Sequence, residues 1–247
     1  MPGEDTLALM YGLEYEATVS TGHGIVDPKE RGRVIAWLRT RSAGTFLDYG
    51  CGVGRLLADV KAAGWRALGM EFDPQVAADT SARVGVPVID RFGFAALEQQ
   101  PVDVLHLGDV IEHLTEPDAD MPRILSLIKP GGYLMAQGPL EANATLFTSV
   151  LKLTRRLRGT RVSDMAPYHV MLATAAGQQA FFRRFGLEDV TFAMHEVAWP
   201  APGHLAWRDL GDPRAVVLFG LRRVSQALSS LRPDRWGNRY FYIGRRR

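Results

Sequence analysis

A glycine-rich segment directly after a short predicted strand carries the strongest chemical signal in the sequence. Residues 48–54 read Asp-Tyr-Gly-Cys-Gly-Val-Gly, and a helix is predicted to follow them. Glycine permits a tight turn and lets a ligand approach the backbone closely. Glu71, 23 residues after Asp48, ends the next predicted strand, where a carboxylate is well placed to hold ribose hydroxyls. The pattern predicts a nucleotide-like ligand.

The spacing and charge of the loop distinguish between nucleotide ligands. A dinucleotide loop reads Gly-x-Gly-x-x-Gly, but here the third glycine comes one residue early and Arg55 stands in the position of that glycine. Asp48, just before the loop, would repel a pyrophosphate. It favours a ligand with an ammonium group and a positive sulfur, which describes S-adenosylmethionine. The alternative is a strand–helix turn that binds no ligand.

Four segments together resemble one enzyme family over most of the chain. They are residues 46–54, 69–74 (Gly-Met-Glu-Phe-Asp-Pro), 109–114 (Asp-Val-Ile-Glu-His-Leu) and 127–132 (Leu-Ile-Lys-Pro-Gly-Gly). The first and third segments are the specific ones. The sequence resembles class I S-adenosylmethionine-dependent methyltransferases, of the small-molecule type that includes ubiquinone-biosynthesis O-methyltransferases.

The resemblance assigns roles around the cofactor, whose product would be S-adenosylhomocysteine. It implies that Glu71 holds the ribose, that Phe72 flanks the adenine, and that the segment containing Asp109 and Val110 runs past the methionine end. The methionine portion would be held by Asp48, Gly50, Cys51, Gly52 and Gly54. Tyr15, with Tyr11 on the same face of an N-terminal helix, would close over the cofactor, unless the two are a core aromatic pair.

Strand-like and helix-like segments alternate over the first 150 residues, which indicates a doubly wound α/β fold with a parallel sheet. The family has a Rossmann-like sheet of seven strands whose last strand is antiparallel, here residues 239–244. We expect one domain, 1–247, with helical acceptor-cap insertions. Its parts are an N-terminal helical cap at 1–40, a cofactor-binding core at 41–140, an acceptor cap at 141–175 and a basic helical insertion at 195–238.

Methyl transfer to a hydroxyl needs an aligned acceptor and usually a base that removes its proton. His169 and His113 are the candidate catalytic residues. His169 resembles the histidine of a Pro-x-His segment that reaches over the acceptor, the alternative being a structural role before the next helix. Cytosine C5 methylation is excluded, because it needs a cysteine nucleophile and the sole cysteine, Cys51, lies in the cofactor loop.

His113 has two further interpretations besides that of a base. With Asp109 and Glu112 it could bind a divalent ion near the acceptor, as in some relatives. Alternatively, Glu112 and His113 begin a helix and only shape the cofactor pocket. The sequence favours the latter, so the predicted site contains no metal. Adenine N6 methylation is not expected, because the position after the fourth strand lacks the Pro-Pro-aromatic turn of those enzymes.

The net charge of +2 conceals a marked asymmetry. Residues 1–150 hold 12 basic and 20 acidic side chains, and residues 151–247 hold 17 basic and 7 acidic ones. An acidic cofactor half suits a cationic methyl donor, and a basic half suits an anionic acceptor. The predicted helix at 213–231 is an addition to the family pattern. It is either a surface helix packed on the sheet or a contact for an acidic acceptor, a membrane surface or nucleic acid.

These observations lead to a methyltransferase acting on a hydroxyl, or less favourably an amine, of a small and anionic acceptor that is sugar- or lipid-linked. The alternatives are an RNA-modifying methyltransferase and a non-catalytic cofactor-binding or scaffold protein. No nucleic-acid module is recognisable, so nucleic acid is a disfavoured partner, peripheral membrane contact is an open one, and the oligomeric state is undetermined. An acidic start without an apolar run predicts a cytoplasmic location.

Overall fold

The computed structural model describes residues 28–157, 169–197, 205–232 and 236–247. The strands are β1 (Thr45–Tyr49), β2 (Arg66–Met70), β3 (Val88–Ile89), β4 (Val102–Gly108), β5 (Ile128–Pro139), β6 (Leu187–His195) and β7 (Arg239–Arg246). The α-helices are α1 (Pro28–Leu38), α2 (Arg55–Ala62), α3 (Pro74–Val84), α4 (Phe94–Glu98), α5 (Pro117–Ser126), α6 (Leu146–Leu157), α7 (Ala175–Arg184) and α8 (Pro213–Leu231). Short 3₁₀ turns lie at Arg91–Gly93, Ile111–His113 and Trp207–Gly211.

The strands form one sheet of seven in the order β3-β2-β1-β4-β5-β7-β6. The first five strands are parallel, and β7 runs antiparallel to both β5 and β6. This confirms the predicted doubly wound sheet with an antiparallel last strand. The strand order reverses between β1 and β4, and ligands bind in the crevice at the carboxyl ends of strands beside such a reversal.

Alternate residues along the strands enter two separate cores on opposite faces of the sheet. On one face, Leu47 and Leu105 pack in a cluster with side chains from α4, α5 and α7. On the other face, Phe46 and Val104 pack with residues of α1 and α2, including Val34. Because both faces of the central strands are covered, their sequences read as continuous apolar runs, which is how the parallel sheet could be recognised.

Two element boundaries differ from the sequence-based prediction. The sequence predicts a helix over 53–63, but Gly54 adopts φ +71° and α2 begins at Arg55. The residues Lys129-Pro130-Gly131-Gly132 predict the end of the preceding helix, expected over 118–128. Instead they lie inside β5, which begins at Ile128 because that residue pairs with Val102 before an irregularity in the register.

Helix α8 has the predicted bounds, and a polar cluster lies at the centre of its buried side. Its buried residues are Arg222, Ser225 and Ser229, and all three lie on one side of the helix. They surround the buried carboxylate of Glu196, which follows β6. Partly buried leucines flank this cluster, and the helix contacts β6, so α8 packs on the edge of the sheet through a mixed polar and apolar side. Within the described residues, no helix combines the length and apolarity needed to cross a membrane.

Candidate active site

The glycine-rich loop follows β1 and is tied to the end of β2. The backbone N–H groups of Gly50 and Cys51 both donate to the carbonyl oxygen of Met70, at 2.8 and 3.0 Å. Gly50, Gly52 and Gly54 have φ values of +81°, +49° and +71°. L-residues with side chains rarely adopt this left-handed region, so the glycines of the motif are required by the backbone itself.

Two of these glycines have no room for a side chain, whereas the space beside the third is open. A Cβ at Gly50 would lie 2.8 Å from Cγ2 of Val110, and a Cβ at Gly54 would lie 2.7 Å from Cγ2 of Thr80. Nothing lies within 4 Å of a Cβ at Gly52. The loop is thus packed against the protein at its ends and open beside Gly52, where a ligand can approach the backbone.

Asp48 is buried at the end of β1 and interacts with a histidine of the neighbouring strand. The register pairs Asp48 with His106 of β4, and Nδ1 of His106 lies 2.7 Å from Oδ1 of Asp48. Both side chains are almost fully buried. A carboxylate can only accept, so the imidazole N–H at Nδ1 donates to it. His106 therefore fixes the orientation of the carboxylate that the sequence analysis assigned to the methionine ammonium.

Glu71 connects the end of β2 to the glycine loop. Its Oε2 accepts a hydrogen bond from the N–H of Gly52 at 2.8 Å, and its Oε1 accepts one from the N–H of Phe72 at 2.7 Å. Burial raises the pKa of Glu71 above its ordinary value, and these N–H groups offset only part of that effect. The Phe72 ring is 59% exposed, with the Arg91 guanidinium 4.8 Å from its centroid, so it is available to an adenine.

We expect cofactor affinity to weaken on acidification at a higher pH than an ordinary glutamate would allow. A ribose hydroxyl donates best to a carboxylate, and the raised pKa of Glu71 means that protonation begins above its ordinary range near 4.5. Calorimetry with S-adenosylhomocysteine between neutral and mildly acidic pH measures the effect. Glu71→Gln should bind more weakly and lose this pH dependence. An unchanged pH dependence in that variant would exclude Glu71 as its source.

Cys51 is buried in the loop, and its thiol is not reactive. Burial raises the pKa of the thiol far above its ordinary value, and the carboxylates of Asp48 and Glu71 raise it further. Because the thiolate is the nucleophilic form, the surroundings of Cys51 support its exclusion as a covalent catalyst.

Asp109 follows β4 and is the only non-glycine residue with a positive φ, +54°, in the described part of the chain. Its carboxylate accepts two hydrogen bonds from Arg239, at 2.8 and 3.0 Å. The same guanidinium donates two more to Glu30 of α1, at 2.7 and 3.0 Å. Arg239 thus joins α1, β7 and the loop after β4, and it holds Asp109 in an unfavourable backbone conformation beside Val110 and the glycine loop.

The buried carboxylate of Glu30 has a second partner in the last residue of β6. Nε2 of His195 lies 2.8 Å from Oε1 of Glu30, and Nδ1 of His195 lies 3.1 Å from an Nη of Arg33. Burial raises the pKa of Glu30, but the hydrogen bond from His195 and the charge of Arg239 bring it below its ordinary value. Glu30 is therefore charged at neutral pH and anchors α1 to the end of the sheet.

The two candidate catalytic histidines lie next to each other. The carbonyl oxygen of Glu112 accepts hydrogen bonds from the N–H groups of Val170 and Met171, at 2.8 and 3.1 Å. This contact brings residues 169–171 against the 3₁₀ turn after β4. The rings of His113 and His169 are consequently 5.0 Å apart between centroids, in an edge-to-face arrangement.

His169 is hydrogen-bonded to a second acidic residue. Its Nδ1 lies 2.9 Å from Oε1 of Glu141, and both side chains are partly exposed. Since the carboxylate accepts, the Nδ1–H donates, and Nε2 is left as the basic nitrogen of the ring. A base oriented by a carboxylate in this way is the usual arrangement for taking a proton from a hydroxyl.

A metal ion is the alternative use of these groups. Glu112, His113 and His169 each offer a ligand atom, and these atoms lie within 4.8 Å of one another. Two imidazoles and one carboxylate suit a divalent transition metal, which would supply Lewis acidity at the acceptor oxygen. This group of possible metal ligands differs from the one considered from sequence, which contained Asp109. The Asp109 carboxylate is paired with Arg239, and His169 lies beside Glu112 and His113 instead. Burial and the neighbouring Asp109 hold the pKa of Glu112 well above its ordinary value, so an unmetallated Glu112 binds a proton more readily than usual.

A family model described as "Methyltransferase domain" matches residues 29–191, well over half of the chain. The chain belongs to the methyltransferase-domain family. Its family and its fold are those of class I S-adenosylmethionine-dependent methyltransferases, which confirms the predicted family and fold. The loop, Asp48 and Glu71 lie at the edge of the sheet where this fold is expected to bind its nucleotide ligand.

The curated relatives of this methyltransferase match only part of it. Ribosomal protein L11 methyltransferase of Photobacterium profundum is 36% identical over 105 residues, 40% of this chain and 35% of that protein. The chain therefore matches about a third of the length of this relative.

Two solved structures are similar over nearly the whole chain. Magnesium protoporphyrin IX methyltransferase (ChlM) of Synechocystis PCC 6803, with bound S-adenosylhomocysteine, has a TM-score of 0.57 at 16% identity and covers 98% of this chain and 94% of its own. The [4+2]-cyclase SpnF has a TM-score of 0.60 at 16% identity and covers 99% and 97%. At these identities the likeness establishes the fold alone, and the name of the second protein is a reminder that the fold does not determine the reaction.

Three residues that shape this site have no recognisable signal in the sequence. His106 lies within a predicted strand, where a buried residue is expected, and its pairing with Asp48 depends on the register of two strands. Arg239 and Glu30 are separated from Asp109 by most of the chain, and no local pattern indicates their contact. Tyr15, predicted to close over the cofactor, lies outside the described residues, as does much of the predicted N-terminal cap.

Proposed function

We propose that this protein transfers the methyl group of S-adenosylmethionine to a hydroxyl of a small acceptor. In that reaction the acceptor oxygen attacks the methyl carbon, the carbon–sulfur bond breaks and the sulfonium becomes the thioether of S-adenosylhomocysteine. The hydroxyl proton passes to Nε2 of His169. Asp48 and Glu71 hold the methionine and ribose ends of the donor, and the protein's main contribution is alignment of donor and acceptor.

The His169–Glu141 pair is the observation that carries this proposal. A hydroxyl must lose its proton as it is methylated, whereas many amines are methylated without a base, so an oriented imidazole favours an oxygen acceptor. His113 supports the same site from the adjacent turn. The cytoplasm is the proposed location.

We propose an anionic acceptor, linked to a sugar or a lipid, from the distribution of charge. His169, the proposed base, belongs to the second part of the chain, and residues 151–247 carry 17 basic and 7 acidic side chains. Phosphate or carboxylate groups on the acceptor would be attracted there. An amine acceptor remains the less favoured version.

A second candidate function is methylation of a protein side chain or terminus. It is favoured by the 36% identity with a ribosomal protein L11 methyltransferase over 105 residues. Methyl transfer from labelled S-adenosylmethionine to ribosomal proteins, to total RNA and to hydroxylated small molecules distinguishes the protein-methylating and RNA-modifying alternatives from our proposal. Failure to bind S-adenosylhomocysteine at all would leave the non-catalytic alternative.

We expect His169→Ala to lower the rate of methyl transfer by about 10²–10⁴-fold, the usual contribution of a general base. Binding of S-adenosylhomocysteine, measured by calorimetry, should be unchanged, and Glu141→Gln should lose less activity. His113→Ala under the same conditions is a comparison within the same site, and it should lose less activity than His169→Ala if His169 is the base. If a chelator abolishes the activity of the wild type, a divalent metal restores it and His169→Ala needs more metal for the same rate, His169 is a metal ligand rather than the base. An unchanged rate in His169→Ala would contradict both roles.

A further inference from the structure

Helix α8 buries a polar cluster against the protein and leaves part of its apolar surface exposed to solvent. Ser225 and Ser229 donate hydrogen bonds to Glu196 at 2.8 and 2.6 Å, and Arg222 pairs with the same carboxylate at 2.9 Å. The Arg222 guanidinium also lies 3.5 Å from the centroid of the Phe147 ring on α6. The helix is therefore attached to the protein through a buried polar cluster and its flanking leucines, and its remaining apolar side chains are exposed.

The opposite side of α8 carries a stripe of exposed apolar side chains. Val217, Val224 and Leu231 are 67%, 53% and 74% exposed. They are spaced seven residues apart, so they lie on one side of the helix over its whole length. Scattered exposed apolar residues are ordinary, but an aligned stripe on a helix that buries its serines is not.

Neighbouring segments add to the exposed apolar area. Trp207 is 91% exposed and Leu210 52% exposed in the 3₁₀ turn that precedes and contacts α8. Leu153 is 58% exposed on α6, which also packs against α8. We refer to Leu153, Trp207, Leu210, Val217, Val224 and Leu231 as the α6–α8 face. An exposed indole is characteristic of proteins that contact the membrane interface.

Charge distinguishes between the possible occupants of this face. Neither α6 nor α8 contains an acidic residue, and Lys152, Arg156, Arg214 and Arg223 are exposed on the two helices. Two acidic residues adjoin the face, Asp209 in the 3₁₀ turn and Asp212 at the N-cap of α8, so the cations outnumber them two to one. A second copy of the chain docked symmetrically would bring these cations together, which disfavours association. A surface that combines an apolar interior with negative headgroups complements both features.

We propose that the α6–α8 face docks this protein on the surface of a bilayer that contains anionic lipids. The apolar side chains would enter the boundary between headgroups and acyl chains, and the basic side chains would contact the lipid phosphates. No step of this docking depends on the proposed methyl transfer.

The position of α8 connects the docking to the candidate active site. Pro139 of β5 pairs with Arg239 of β7, and His195 of β6 pairs with Arg239 as well. The segment that contains α8 therefore leaves and re-enters the sheet at the carboxyl edge of the parallel strands, where the glycine loop and His169 lie. A docked protein would meet an acceptor held in the bilayer at this edge.

The test is co-sedimentation of the full chain with vesicles of phosphatidylcholine alone or mixed equally with phosphatidylglycerol. We expect binding to the mixed vesicles, little binding to phosphatidylcholine, and weaker binding as salt screens the basic groups. The triple variant Val217→Ser, Val224→Ser, Leu231→Ser should bind at least about tenfold more weakly, because apolar side chains leave the interface. Val190→Ser, which removes an exposed apolar side chain from the edge strand β6, is the matched control and should bind like the wild type.

Circular dichroism should show that the triple variant is folded, since the replaced side chains are exposed. Absence of wild-type binding to mixed vesicles, or equal binding by the triple variant, would overturn the proposal. Analytical ultracentrifugation tests the alternative occupant. If the wild type is a dimer that does not bind vesicles, and the triple variant is a monomer, the face is a subunit interface. Cofactor binding by calorimetry is independent of both outcomes, so a failure of docking is distinguishable from a failure of the proposed reaction.

Discussion

Replacing Arg239 with methionine is expected to lower the free energy of unfolding by about 3–5 kcal/mol, the usual result when a buried ion pair loses one partner. The Arg239 guanidinium forms four hydrogen bonds with two carboxylates, and the Glu30 side chain is fully buried. Without Arg239, Glu30 would keep His195 but lose its main cationic partner. Urea unfolding followed by circular dichroism measures the change.

The matched control is Arg184→Met. Arg184 also pairs with an aspartate, Asp118, at 2.8 Å, but both side chains are more than half exposed. Surface pairs of this kind contribute about 0–1 kcal/mol, so the control should unfold at nearly the wild-type urea concentration. If both variants lose the same free energy of unfolding, burial of the Arg239 ion pairs does not increase their contribution to stability.

Arg239→Lys tests the link to the cofactor in a protein that retains the buried positive charge. Lysine cannot reproduce the planar set of four hydrogen bonds, so Asp109 should relax from its left-handed conformation. Val110, which limits the space at Gly50, would move with it. We expect stability between that of the wild type and of the methionine variant, and weaker binding of S-adenosylhomocysteine. Wild-type cofactor affinity in Arg239→Lys would reduce Arg239 to a purely structural residue.

Replacing Asp48 with asparagine is expected to weaken binding of S-adenosylmethionine by roughly 10–150-fold, since hydrogen bonds to charged groups contribute about 1.5–3 kcal/mol. The asparagine oxygen can still accept the hydrogen bond from Nδ1 of His106, so the change removes charge while it preserves the buried contact. Calorimetry with the cofactor and with S-adenosylhomocysteine measures the loss.

Asp59→Asn controls for the change in net charge. Asp59 lies on α2 in the same acidic part of the chain, its side chain is 45% exposed, and its contact with Arg31 is a long 3.7 Å. Its replacement should leave cofactor affinity within a factor of about two, because the charge is exposed and screened. Equal weakening in both variants would attribute the effect to the general field of the acidic half rather than to Asp48.

The unequal distribution of charge has a different meaning in each half of the molecule. The acidic half contains the loop, Asp48 and Glu71, which suits a cationic donor. The basic half contains α6 and α8, where four exposed cations accompany an apolar stripe rather than forming an isolated basic patch. We therefore attribute part of the basic charge to the proposed contact with anionic lipids, and the rest to attraction of an anionic acceptor.

Local chemistry in the sequence determined the sheet, the glycine loop and the class of cofactor. The loop glycines need left-handed backbone. Asp48 lies in β1 and Glu71 directly follows β2, and both strands are recognisable as apolar runs. Each of these signals lies within one strand, turn or helix start, where the identity of the residue limits the conformation directly. For the same reason, the bounds of α8 could be predicted from sequence.

Only the tertiary structure decided which distant side chains meet. The contacts of Arg239 with Glu30 and Asp109 join residues 209 and 130 positions apart, and that of Glu196 with Ser229 turns the polar side of α8 inward. The helical spacing of α8 shows which residues share a side but not which side is buried. Burial is set by the partner that the fold supplies, here a carboxylate after β6. The spacing of apolar residues along a helix is a local property, whereas the pairing of buried charges depends on which distant segments the fold brings together.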